Sequence, residues 1–132
     1  MAKKILMIDD ESELVATMKQ VLEARGYIVF GATLGKEGVV IAKQQQPDLA
    51  IIDLMLPDLD GWRVCQQLKK EPALANMRVI MLSGLVDDKP EKNSVELGDA
   101  YLSKPFEMKK LLETIRRLLD EPPVAQPDSA AG

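Results

Sequence analysis

Leu49-Ala50-Ile51-Ile52-Asp53 is an unbroken apolar run that stops at a carboxylate. A strand with one wet face alternates apolar and polar residues, whereas a continuous run rich in Ile, Val and Leu is the pattern of a strand buried on both faces. The pattern recurs at Ile5 to Ile8, Tyr27 to Phe30, Val79 to Leu82 and Ala100 to Leu102. Helical spacings separate the runs. Leu14, Met18, Val21 and Leu22 follow the i, i+4, i+7, i+8 rhythm, with Asp10 and Glu13 placed as an N-cap and its N3 partner and Gly26 as a stop. Val39 to Ala42 belong to a second helix that must end before Pro47, and Val64, Cys65 and Leu68 mark a third that begins near Gly61. Met108, Leu111, Leu112, Ile115, Leu118 and Leu119 stripe a last helix opening after Pro105.

The order is (βα)5, an α/β chain. Right-handed crossovers between parallel strands put helices on both faces, which predicts a doubly wound three-layer sandwich. The expected sheet is parallel and five-stranded, in the flavodoxin-like order 2-1-3-4-5, with ligands bound outside the carboxyl ends of its strands. Residues 1–120 are expected to form this one domain. Glu121 to Gly132 carries three prolines and no large apolar residue beyond Val124, and reads as a tail or linker.

Composition narrows the function. With 132 residues, 46% of them hydrophobic, the chain has material for one core. Its 17 basic and 21 acidic side chains leave a net charge of −4, which repels phosphate backbones and anionic lipids. Neither direct nucleic-acid binding nor membrane association is expected. No histidine is present, which removes histidine general bases, Ser-His-Asp and Cys-His nucleophile systems and histidine zinc sites. Cys65 is the single cysteine, so no internal disulfide forms; it reads as a small buried thiol in a reducing compartment. The apolar run after Lys3 and Lys4 ends at Asp9, too short for a signal peptide or a membrane span, and the expected location is the cytoplasm.

The strand ends carry the chemistry: Asp9 and Asp10 after the first strand, Asp53 after the third, Ser83 after the fourth and Lys104 after the fifth. Each alone has an ordinary reading as a cap, a solvated terminus, a turn hydroxyl or a surface charge. Brought to one crevice they mean more. Three adjacent carboxylates repel one another unless one takes up a proton or a cation holds them ionised. An all-oxygen set that leaves room for water suits Mg²⁺ better than Ca²⁺. A lysine and a hydroxyl supply what phosphoryl oxygens need, and the remaining carboxylate can act as the nucleophile, giving an aspartyl-phosphate. Phosphoryl transfer is mostly positioning and charge neutralisation, so a site without histidine suffices.

Four segments, Ile5 to Glu11, Pro47 to Gly61, Met81-Leu82-Ser83-Gly84 and Ala100 to Phe106, resemble the motifs of the receiver domains of two-component response regulators, in order, over roughly residues 3–120. The resemblance implies a phosphorylation-dependent switch. Asp53 would accept a phosphoryl group from a phosphohistidine on a sensor histidine kinase or phosphotransfer protein. Asp9, Asp10, Asp53 and the backbone carbonyl of Met55 would hold Mg²⁺. Ser83 and Lys104 would bond the phosphoryl oxygens, and Tyr101 would be the aromatic that turns inward as the serine moves. By composition alone Tyr101 reads as a partly exposed strand aromatic. A cis Lys104-Pro105 bond is common in the family and would aim the lysine inward. Output would pass through the face of the fourth helix, fifth strand and fifth helix to a downstream protein or a phosphorylation-dependent dimer. No external substrate is turned over, so the chain is expected not to be an enzyme in the ordinary sense.

Two departures stand out. Leu85 to Asp99 contains Pro90 and few apolar anchors, so the fourth helix is expected to be short, displaced or poorly ordered. Met55 and Leu85, both apolar, are expected to flank the route of an attacking water and prolong the phosphorylated state. Three other classes fit worse. A dehalogenase-type phosphatase needs an Asp-x-Asp pair that Asp53-Leu54-Met55 lacks. The acidic first loop would repel a flavin phosphate, and Gly31 to Glu37 is too short for a P-loop and lacks its final hydroxyl. A phosphorylation-independent pseudo-receiver that only docks, and the receiver fragment of a longer response regulator or hybrid kinase, remain as alternatives.

Overall fold

The computed structural model describes residues 2–84 and 98–120. The expected fourth helix falls within 85–97 and the expected tail within 121–132; both lie outside the described residues, as does Leu85.

Five strands, β1 (Lys4–Ile8), β2 (Ile28–Ala32), β3 (Leu49–Asp53), β4 (Arg78–Ser83) and β5 (Ala100–Ser103), form one sheet in the order β2-β1-β3-β4-β5. Every pairing is parallel, with Ile5 opposite both Val29 and Leu49, and Ile51 opposite Ile80. Four α-helices are described: α1 (Ser12–Glu23), α2 (Gly35–Gln45), α3 (Gly61–Lys69) and α4 (Met108–Leu118), the last being the fifth helix of the expected order. A short 3₁₀ turn, Pro72–Leu74, leads into β4.

Two apolar clusters sandwich the sheet, which is why its strands read as continuous runs. Leu6, Ile8, Ala50, Ile52, Val79 and Met81 pack with Ala42 of α2 and Val64, Cys65 and Leu68 of α3. Their neighbours Ile5, Met7, Leu49, Ile51, Ile80 and Leu82 point the other way, onto Met18 and Leu22 of α1 and Leu111, Leu112 and Ile115 of α4. Both faces of β3 are therefore dry along its whole length.

Chain reversals follow local chemistry. Gly26 takes φ 96°, a left-handed value that a side chain would resist, and ends the α1 turn. The expected N-cap of α1 is corrected: the helix opens at Ser12, so Glu11 occupies the cap position, without a side-chain cap bond, and Asp10 falls one residue before it. Asp60 does cap α3, accepting from the Arg63 N–H at 2.9 Å. Asp99 extends the β4 to β5 ladder: its N–H donates to Val79 O at 2.8 Å and its Oδ2 accepts from the Val79 N–H at 2.7 Å.

Candidate functional site

The carboxyl ends of β1, β3 and β5 bring one cation and four carboxylates together. Lys104 Nζ lies 2.7 Å from Asp9 Oδ2, 3.2 Å from Asp53 Oδ2 and 3.2 Å from Glu11 Oε1. The Lys104 N–H donates to Ser83 O at 2.6 Å, prolonging the β5 ladder, and the following bond to Pro105 is cis. Asp9 is fully buried and Asp53 nearly so, while Asp10 is exposed. The N–H two residues on bonds each buried carboxylate, Glu11 N to Asp9 Oδ1 at 2.9 Å and Met55 N to Asp53 Oδ1 at 3.1 Å.

Asp9, Asp10 and Asp53 each present an oxygen within 4.8 Å of the others, the one such acidic group among the described residues. Asp9 Oδ2 is buried and, despite its contact with the lysine, makes no hydrogen bond of good geometry. Three carboxylates, two of them buried, gathered beside a single ammonium are a donor set that fits a hard divalent cation.

Charges in this crevice shift one another. Burial pushes the Asp53 carboxyl above its ordinary value, helped by the negative Asp9, and the Met55 N–H and Lys104 only partly offset this. For Lys104 burial works against the ammonium, but the Asp9 and Asp53 carboxylates outweigh it and hold the lysine above its usual range. The crevice thus keeps a permanent cation beside a carboxylate that is reluctant to ionise.

Asp9, Asp10, Asp53 and Lys104, expected at the strand ends, converge as expected. Ser83 closes β4, paired with Ser103 of β5 and partly buried. Met55, two residues after Asp53, is 57% exposed, and its described contact with the carboxylate is the backbone N–H bond to Asp53 Oδ1. Tyr101 lies on β5, half-buried against Trp62 of α3 with ring centroids 5.7 Å apart. Burial raises its phenol, more than the Gly98 backbone lowers it. Two neighbours of these residues carry no local signature in the sequence. Glu11 lies within the segment Ile5 to Glu11, but its ion pair with Lys104 needs the fold, and Trp62 meets Tyr101 from an element distant in sequence.

Comparison with known proteins agrees with this geometry. The family model "Response regulator receiver domain" matches residues 5–116. The chain is 35% identical over 130 residues to the alkaline phosphatase synthesis transcriptional regulatory protein PhoP of Bacillus subtilis (strain 168), covering 98% of this chain and 53% of PhoP. It is 39% identical over 117 residues to the DNA-binding dual master transcriptional regulator RpaA of a Synechocystis species, covering 88% of this chain and 48% of RpaA. The receiver domain of Francisella response regulator 1452 superposes with a TM-score of 0.79 at 29% identity, over 89% of this chain and 97% of that one. A CheY-like receiver domain protein from Methanospirillum hungatei JF-1 gives 0.78 at 31%, over 91% and 95%.

This chain belongs to the response regulator receiver domain family, whose members are phosphorylation-dependent switches of two-component signalling. It spans about half the length of the curated relatives it matches. No helix among the described residues is long and apolar enough to cross a membrane.

Proposed function

We propose that Asp53 is the phosphoacceptor of this receiver domain, and that the phosphoryl donor is a phosphohistidine on a sensor histidine kinase or phosphotransfer protein. The observation that carries the reading is the placement of Lys104 Nζ 3.2 Å from the nearly buried Asp53 carboxylate, beside two further aspartates. An Asp53 oxygen attacks phosphorus, a P–O bond forms as the P–N bond breaks, and the freed imidazole nitrogen keeps the electron pair and takes a proton. Lys104 and the Ser83 hydroxyl bond the equatorial oxygens. Asp9, Asp10, Asp53 and the Met55 carbonyl would hold Mg²⁺, which supplies neutralisation of the charge on the transferring group.

In this reading the product adds about −1.5 to −2 charges at the end of β3 and biases a pre-existing two-state equilibrium. Tyr101 then acts as the switch aromatic, and output passes through the face that includes β5 and α4 to a downstream protein, a dimer partner or an output module. The relatives being named transcriptional regulators supports an output module that acts on DNA; the acidic receiver unit itself, residues 1–120, would not. Residues 121–132 would serve as the linker. The working compartment would be the cytoplasm, and the chemistry would be confined to phosphorylation and dephosphorylation of Asp53.

The test is intact mass after incubation with Mg²⁺ and acetyl phosphate, for the parent and Asp53→Asn. One phosphoryl group gained by the parent and none by the variant is expected. A parent that gains none from acetyl phosphate or from phosphorylated histidine kinases would be a docking module instead.

A further inference from the structure

Asp58, in the loop between β3 and α3, accepts two backbone hydrogen bonds from another element. The Gly35 N–H donates to its Oδ1 at 2.7 Å and the Lys36 N–H to its Oδ2 at 2.9 Å. Both donors lie in the first turn of α2, whose own N-cap residue, Leu34, makes no side-chain cap. A helix start must satisfy its orphan N–H groups and favours negative charge, so α2 borrows a cap from a residue 22 or 23 positions along the chain. The Lys36 N–H foremost, with the Gly35 N–H, holds the Asp58 carboxyl below its ordinary value despite partial burial. Packing at this junction is close: a Cβ on Gly35 would lie 2.9 Å from Val64 Cγ2, 3.1 Å from Leu59 Cβ and 3.3 Å from Asp58 Oδ1.

The same loop carries Met55. At its two ends the loop is held by the Leu54 N–H to Leu82 O at 2.9 Å and the Gly61 N–H to Leu54 O at 2.8 Å. Asp58 ties its middle to a second, independently packed helix. Met55 donates its N–H to Asp53 at 3.1 Å, and any swing of the loop would carry that N–H and the adjoining carbonyl with it.

We infer that Asp58 is a positioning residue for the phosphoacceptor site: by capping α2 across the loop, it fixes the Met55 backbone against Asp53. The inference rests on the function proposed above, in which the Met55 carbonyl is a metal ligand. Groups that orient ligands commonly change metal affinity by about 10- to 100-fold when removed.

The experiment separates loop positioning from helix capping. Leu34 is 43% exposed and extended, with φ −127° and ψ 146°, so Leu34→Asp can cap α2 locally without touching the loop. Mg²⁺ affinity by calorimetry and Tm are measured on the full chain for the parent, Asp58→Ala, Asp58→Asn, and Asp58→Ala combined with Leu34→Asp. Asp58→Ala is expected to lower Tm and raise the Mg²⁺ Kd about tenfold, with Asp58→Asn, which keeps one carbonyl acceptor, in between. The double variant is expected to recover Tm while Kd stays weak. A Kd unchanged in Asp58→Ala, or recovered together with Tm in the double variant, would leave Asp58 a helix cap and nothing more. A parent that neither binds Mg²⁺ nor gains a phosphoryl group overturns the site reading itself, and this inference with it.

Discussion

Lys104 Nζ sits 2.7 Å from Asp9 Oδ2 and neutralises a carboxylate that is fully buried. Removing the ammonium leaves that charge, and Asp53 behind it, without a cation. Lys104→Met is expected to cost about 3 kcal/mol in urea unfolding with EDTA present, and Mg²⁺ should recover much of it. Because the folded-state lysine is raised, its contribution is fully present below the ordinary lysine value and is lost only as pH climbs through the raised one. The gap between parent and variant should therefore hold constant across neutral pH. A gap below about 1 kcal/mol would mean that the pair behaves like an exposed one.

Asp53 gives the opposite slope. Its carboxyl is raised in the folded state, first by burial and then by Asp9, so the native protein binds this proton more tightly than the unfolded chain. Metal-free stability from this group is greatest at acid pH and falls as pH rises from the ordinary carboxylate value through the raised one. Asp53→Asn removes the slope. In EDTA the variant is expected to be more stable than the parent at pH 7, with the advantage vanishing toward pH 4, near the ordinary Asp value of about 3.9. Urea midpoints at the two pH values decide it, and an Asn variant less stable at pH 7 would show the Lys104 pair outweighing burial.

Gly61 is a backbone constraint on the site. A Cβ there would come within 2.3 Å of Asp53 O and 2.8 Å of Leu54 Cα, atoms that no rotamer change can move. Gly61→Ala, normally favourable in a helix, should here cost about 3 kcal/mol and disturb Mg²⁺ binding. A thermal melt matching the parent would show that the loop relaxes freely.

Cys65 is fully buried, and burial pushes its thiol up to about 11. Thiolate is the reactive form, so iodoacetamide at pH 8 should leave the native protein unmodified and alkylate it only in urea. Rapid labelling of the folded chain, read by intact mass, would contradict this.

The central strands were legible because burial on both faces leaves an apolar run, as at Leu49-Ala50-Ile51-Ile52, whereas the edge strands β2 and β5 are only partly buried and the order followed from the doubly wound class. The convergence of Asp9, Asp53 and Lys104 was legible for a related reason: in a parallel sheet all carboxyl ends lie on one edge. Contacts with no local signature were not. Asp10 has the right spacing to cap α1, yet tertiary placement puts Glu11 at the cap and leaves Asp10 with the acidic cluster. The borrowed cap at Asp58 and the Trp62 to Tyr101 packing each join elements that only the crossovers make neighbours.

The order of the sheet has a consequence for how the site is assembled. Asp53 and Lys104 are 51 residues apart, and Asp9 stands on a strand that must pair with both β2 and β3. No short stretch of the chain holds these carboxylates together with their lysine, because Asp9 and Lys104 come from opposite ends of the domain. A molecule in which β5 has not docked keeps the aspartates that follow β1 and β3 but lacks the cation between them. The crevice is complete only when the last strand has joined the edge of the sheet.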